Sequence, residues 1–110
     1  MLNDTLKRIE KEIRENSAIN AAQREELLGL IDKLKKEVSA IGETHGEDAR
    51  SIARFTEASL QEAVRVTRNP ELFKHALEGM SLSARRFEVS HPKLTGVINN
   101  IGRVLWGIGI

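Results

Sequence analysis

The sequence contains no cysteine, only two prolines and few aromatic residues, namely three Phe, one Trp and no Tyr. Without cysteine the chain can form no disulfide, thiol nucleophile or cysteine-based zinc site. The shortage of aromatic residues removes much of the composition that β-strands favour. A protein without disulfides suits a reducing compartment, so we expect a cytoplasmic location.

An excess of one sign of charge is also missing, because 17 basic residues nearly cancel 16 acidic ones. No global field therefore draws the protein towards nucleic acid, and we expect no nucleic-acid partner. No apolar stretch of the signal-peptide type stands at the N-terminus. The most apolar segment, residues 92–110, is interrupted by Lys93, Asn99, Asn100 and Arg103, whereas crossing a bilayer takes about 20 mostly apolar residues.

Helical periodicity dominates what remains. Apolar residues recur at steps of three and four along most of the 110 residues, a length that suits one domain with a modest core. The pattern predicts an all-α antiparallel bundle of four to five helices at about residues 4–16, 20–41, 48–68, 70–88 and 92–106. Residues 1–42 then form a helical hairpin, residues 43–47 a loop, and residues 48–110 a three-helix part of the same domain.

Capping residues indicate where these helices begin. Asn20 and Gln23 have the spacing of a capping box, which favours a turn at residues 16–20. One long helix over residues 4–41 is the alternative. Asn69-Pro70 is typical of a helix start, because Asn caps the free amides and Pro needs no partner at the first position.

Two features of the middle of the chain lead to further expectations. Gly42 follows the last apolar residue of the second helix, where a left-handed glycine would end it. The third helix has the poorest inward face, and its small residues bury little area, so we expect it to be the least strongly held. The residues of that face are Ile52, Phe55, Ser59, Ala63 and Val66.

The last helix follows the turn Ser90-His91-Pro92, because Pro cannot continue the preceding helix. Its apolar residues share one face, which we expect to close the core. They are Leu94, Val97, Ile98, Ile101, Val104, Leu105 and Ile108.

Trp106 lies off that face, and two interpretations stay open. Either Gly107 ends the helix and Trp106 folds back over the end of the bundle, or Trp106 is an exposed anchor for a partner, with Arg103 stacked on it. Ile110 would share the side of Trp106. Leu28, off the apolar face of the second helix, is a further candidate for an interface.

Patterns for catalysis and metal binding are lacking. Glu71 and His75 lie one helical turn apart with Glu78 nearby, which falls short of the three or four converging ligands of a zinc site and indicates an exposed ion pair. No glycine-rich loop follows a strand, and no nucleophile motif is present. We therefore expect no catalytic residue, cofactor or metal ion.

Several segments resemble a family of short bacterial proteins catalogued as a domain of unknown function. They are Asn69-Pro70-Glu71-Leu72, then Phe87-Glu88-Val89-Ser90-His91-Pro92-Lys93-Leu94, then Val97-Ile98-Asn99, and the closing Gly109-Ile110. The resemblance is best over residues 69–110 and only general over residues 1–42, and the chain departs from the family pattern at Trp106-Gly107. It implies a small, helical, cytoplasmic bacterial protein and supplies no reaction, ligand or partner.

The function that we expect is a non-enzymatic interaction or scaffold module that forms a homo-oligomer, with a dimer favoured over larger assemblies. An unidentified protein partner is also compatible with the apolar helix faces. The alternative is a peripheral membrane-surface protein that uses residues 92–110 as an interfacial amphipathic helix.

Overall fold

The structure, a computed structural model, describes residues 2–108. Over this range the chain folds into five α-helices without a β-strand, so the predicted all-α bundle is confirmed. The helices are α1 (Leu2–Glu15), α2 (Ala21–Gly42), α3 (Gly46–Ala63), α4 (Pro70–Arg85) and α5 (Pro92–Trp106).

α4 runs antiparallel to both α3 and α5, as contacts between their ends show. Asp48 at the start of α3 pairs with Arg86, just after α4, at 3.1 Å. Phe73 near the start of α4 contacts Trp106 at the end of α5, with ring centroids 4.9 Å apart. The start of α4 and the end of α5 therefore lie at the same end of the bundle.

The turn that separates α1 from α2 is held by Arg24. Its guanidinium donates to the backbone oxygens of Ile13 (2.9 Å), Asn16 (2.8 Å) and Ile19 (2.8 Å). These carbonyls lie at or beyond the end of α1, where the helix itself offers no donor. The expected helical hairpin is therefore present, and the alternative of one long helix over residues 4–41 is wrong.

Side-chain caps confirm the two predicted helix starts. The Asn20 side chain accepts from the Gln23 amide at 2.8 Å, and the Gln23 side chain accepts from the Asn20 amide at 3.1 Å. Asn69 accepts from the amides of Glu71 and Leu72 in the same way. Each cap satisfies donors that the first helical turn leaves free.

Two predicted boundaries are wrong. Gly42 belongs to α2, and the cap after it, Glu43, is right-handed with φ −64°, so no left-handed glycine ends this helix. The third helix ends at Ala63, five residues before residue 68. Val64, Val66 and Thr67 are β-branched and have low helix propensity, which favours an end before them.

The core contains buried apolar residues from all five helices. Every residue of the predicted α5 face is among them. The interpretation of α3, however, is wrong in two respects. Phe55, placed on the inward face, is 40% exposed, and Val66 lies after the helix and is fully exposed.

α3 contacts all four other helices, and the expectation that it is the least strongly held stays a prediction. Its small buried residues allow neighbouring helices to approach closely, and the resulting packing compensates for the small area of each. Thr56 and Ser59 are buried with them at no polar cost, since each hydroxyl donates at 2.8 Å to the carbonyl four residues earlier.

Gly29 and Gly79 allow the packing of α3 on α4 to be tested. At Gly29, in the middle of α2, a Cβ would meet no atom within 4 Å, whereas at Gly79 in α4 it would overlap the Phe55 ring. Gly29→Ala should raise the free energy of unfolding by about 1 kcal/mol through helix propensity. Gly79→Ala should raise the free energy of unfolding by less, or lower it, because the new Cβ would overlap the Phe55 ring. Urea unfolding followed by circular dichroism measures both, and equal gains would contradict the placement of Phe55 on Gly79.

Candidate functional site

The end of α5 carries a cluster of three side chains, Arg68, Phe73 and Trp106, called the Arg68 cluster below. The guanidinium carbon of Arg68 lies 4.3 Å from the Phe73 ring centroid and 5.5 Å from that of Trp106. The two rings touch each other at an interplanar angle of 54°. Phe73 is fully buried and Trp106 is 51% exposed, so the cluster extends from the core to the surface.

Arg68 also closes the C-terminal end of α5. It donates to the backbone oxygens of Leu105 (2.9 Å), Ile108 (3.1 Å) and Trp106 (3.4 Å). The Leu105 oxygen also accepts from the Ile108 amide at 3.2 Å, just beyond the helix. These carbonyls lie at the negative end of the helix dipole, where a helix lacks donors of its own. A cation held on them is therefore stabilised by hydrogen bonds and by the field of the helix.

The two interpretations of Trp106 each describe part of its environment. The helix ends at Trp106 with Gly107 as the cap, and one part of the indole packs on Phe73. The other half of the side chain is open to solvent. The cation over the ring is Arg68 rather than Arg103, whose guanidinium instead pairs with Glu26 on α2 at 2.6 Å.

The remaining predicted interface residues do not gather around Trp106. Leu28 is partly buried and packs against the core. Ile110 lies outside the described residues. Arg103 is tied to α2 by its ion pair. Trp106 is therefore the predicted interface residue that offers a large apolar surface to solvent within residues 2–108.

The turn Ser90-His91-Pro92 lies at the opposite end of α5 and has a structural role. The His91 amide donates to the Phe87 carbonyl at 2.7 Å, and the Ser90 hydroxyl lies 3.1 Å from His91 Nδ1. Phe87 is the centre of this end, since the rings of His91 and His45 approach it edge-on with centroids 6.0 Å and 5.6 Å away.

A surface that the sequence interpretation missed lies along α3 and α4. It consists of Phe55, Leu72, Gly79 and Leu82, and we call it the α3–α4 stripe. Phe55 rests on the bare backbone of Gly79, while Leu72 and Leu82 are 47% and 58% exposed. The spacing of the sequence indicates this exposed surface, because residues 72, 79 and 82 share a helix face that is distinct from the buried face of α4.

The surface of residues 2–108 also contains open clefts, two of which carry several charged side chains. A cleft of about 390 Å³ between α1 and α3 contains the ion pair of Arg8 and Glu57, whose atoms approach to 2.9 Å. Hydrogen bonding to Glu57 and its charge raise the pKa of Arg8. A groove of about 510 Å³ between α2 and α5 is lined by Lys33, Lys36 and Lys93 together with Glu37.

The described part of the chain contains neither a metal-binding cluster nor a membrane-spanning helix. Residues 2–108 contain no group of three or more His, Asp or Glu side chains placed to hold a metal ion. His75 Nδ1 lies 3.9 Å from a Glu78 carboxylate oxygen, an exposed ion pair when the imidazole is protonated. None of the helices just described has the length and apolar character needed to cross a membrane.

Fold and surface together define a small five-helix module whose most prominent exposed features are the α3–α4 stripe and Trp106. Residues 33–110 match the model of a family described as a domain of unknown function, DUF4404. The chain belongs to this family. The comparison with curated proteins and the comparison with solved structures each give no match.

The family match confirms the resemblance to a family of unknown function and extends it towards the N-terminus. The resemblance was strongest over residues 69–110, whereas the match begins at residue 33 and so includes α3 and the second half of α2. The Arg68 cluster and the α3–α4 stripe both lie within the matched region.

The Arg68 cluster predicts a specific stability effect. Arg68→Met keeps an unbranched apolar chain against Phe73 but removes the guanidinium hydrogen bonds to the α5 carbonyls, so the free energy of unfolding should fall by about 2–3 kcal/mol. Arg68→Lys should recover only part of this loss, because an ammonium cannot reproduce the planar fork of a guanidinium. Chemical unfolding followed by Trp106 fluorescence measures both variants.

The control for Arg68 is Arg65→Met, because Arg65 makes an exposed ion pair with Glu62. It should change the free energy of unfolding by less than about 0.5 kcal/mol. Equal losses at Arg68 and Arg65 would show that the α5 carbonyls do not need the guanidinium.

Proposed function

We propose that this protein is a non-enzymatic interaction module that associates with copies of itself, as a dimer in preference to larger assemblies, in the bacterial cytoplasm. The observation that carries the proposal is the α3–α4 stripe, in which Phe55, Leu72 and Leu82 are each exposed along one side of two packed helices. Single exposed apolar residues are normal on a soluble protein. A contiguous apolar surface is typical of an interface.

The polar groups of the chain support a non-enzymatic role. The α1–α3 cleft is lined by a mixture of acidic and basic residues, with Arg8 paired to Glu57, and three lysines with one glutamate line an open groove between α2 and α5. Enzyme sites usually combine a well-formed pocket with converging titratable groups of perturbed pKa. The charges of these clefts are more typical of solvated helix surfaces.

The packing of α5 argues against the alternative of a membrane-surface protein. That alternative requires the apolar face of α5 to lie in the lipid interface. All seven residues of this face are buried in the core, so α5 would have to leave the bundle before it could bind a membrane. The energy lost from the core would offset the energy gained from the lipid.

Trp106 takes a secondary place in the proposal. Its indole is fixed by Phe73 and Arg68, so it is a rigid aromatic surface of the kind found at interface hot spots. The residue also stabilises the end of the bundle, which accounts for its position without a partner. We therefore propose that self-association uses the α3–α4 stripe and that Trp106 is available to contact an additional partner.

Sedimentation of the purified chain over a range of concentrations tests the proposed function. We expect a reversible monomer–dimer equilibrium with a dissociation constant of about 1–100 µM, which corresponds to a small interface. A species that stays strictly monomeric at about 1 mM, well above this range, would contradict the proposal.

Vesicle co-sedimentation tests the membrane alternative separately. The folded chain should remain in the supernatant with both neutral and anionic vesicles, because the apolar face of α5 is not available. Binding to anionic vesicles, with the helicity of the chain unchanged, would favour the membrane-surface hypothesis over self-association.

A further inference from the structure

The outer face of α4 has a spacing that reads the same in both directions. Leu72, His75, Gly79 and Leu82 follow one another at steps of three, four and three, and they span an arc of about 80° at 100° per residue. This is the seam spacing of packed helices. Since the order of steps is palindromic, the face can match a second copy of itself when the two helices run antiparallel.

The register of such a pair follows from the spacing. When a two-fold axis passes midway between positions 75 and 79, Leu72 lies opposite the partner's Leu82, and Leu82 lies opposite the partner's Leu72. The Phe55 ring fills the Gly79 position and faces the partner's His75 near the axis. Leu72 and Leu82, each about half exposed in the single chain, would both be covered.

Charge complementarity selects this antiparallel arrangement. Glu71, in the first turn of α4, and Arg85, in the last turn, lie along the same edge of the seam. Among residues 2–108 neither side chain is in an ion pair within the chain. In the antiparallel register Glu71 meets the partner's Arg85, and Arg85 meets the partner's Glu71, so two pairs form.

A third charge, Glu78, lies midway between Glu71 and Arg85 and close to the axis, where it would approach its own copy. Such like-charge contacts oppose association. His75 lies beside it at 3.9 Å and supplies a positive charge when protonated. The two pairs of Glu71 with Arg85 outnumber this single repulsion.

We propose that the α3–α4 stripe binds a second copy of this chain about a two-fold axis, with Leu72 packed on the partner's Leu82 and Glu71 paired with the partner's Arg85. The proposal rests on the proposed self-association and adds to it the surface, the symmetry and the register. Such an interface is isologous, so it closes at two copies and does not extend into a filament.

A charge exchange tests the register. Glu71→Arg alone places two arginines opposite each other at both ends of the interface, and it should weaken the dimer about tenfold, as should Arg85→Glu alone. The double variant restores opposite charges across the axis and should return the dissociation constant to within about threefold of the original. This rescue separates an interface from a helix-dipole effect, because the double variant opposes the dipole of α4 at both ends.

An apolar substitution tests the surface. Leu82→Glu should weaken the dimer by at least about tenfold, because it places a charge against the partner's Leu72. Ala22→Glu, on the exposed first turn of α2, adds the same charge on a helix that does not contact α4 and should leave the dimer unchanged. Circular dichroism confirms that each variant is folded, and sedimentation measures the association.

The outcomes distinguish this proposal from the proposed function. If the wild type forms a dimer and Leu82→Glu leaves its dissociation constant unchanged, the α4 register is wrong while self-association stands. The same conclusion follows if the double charge variant dimerises as weakly as the two single changes combined would predict. A wild-type chain that stays monomeric would overturn both.

Discussion

The carbonyl groups at the ends of α1 and α5 impose the constraint on which the rest of the bundle depends. A helix leaves its last carbonyls without internal donors, and many helices satisfy them with a left-handed glycine. No glycine in residues 2–108 has a φ in the left-handed range. Arginines take this role here: Arg24 donates to the end of α1 and Arg68 to the end of α5.

Each of these arginines lies near the start of another helix, so one contact joins two elements. Arg24 is in the first turn of α2, and Arg68 immediately precedes the cap of α4. The start of α4 is thereby fixed against the end of α5, which orients Phe73 and Trp106 towards each other. The exposure of Trp106 is thus a consequence of how α5 ends. This explains why an off-face tryptophan need not by itself indicate a partner.

The helices themselves could be predicted because their evidence is local. Asn20 and Asn69 cap amides only two or three residues away, and the apolar face of α5 repeats within a single segment. The rotation of α3 could not be predicted in the same way. Apart from Ile52 and Leu60, its buried side is made of Ala, Ser and Thr, which carry little periodic signal, so the large Phe55 was assigned to the core. A distant glycine, Gly79, decides where that ring lies.

The Arg68 cluster escaped prediction for a related reason, since the hydrogen bonds of Arg68 join residues 37–40 positions apart along the chain and no local pattern marks them. The α3–α4 stripe is different. α4 carries two apolar faces, and the inner one, with Phe73 and Met80, accounts for its packing against the bundle.

The outer face of α4 makes no comparable contribution to the core, because Leu72 and Leu82 keep about half of their surface in solvent. The two helices that pack on α4, α3 and α5, lie within the family match, whereas α1 lies outside it and does not contact α4. The stripe therefore depends only on helices of the matched region.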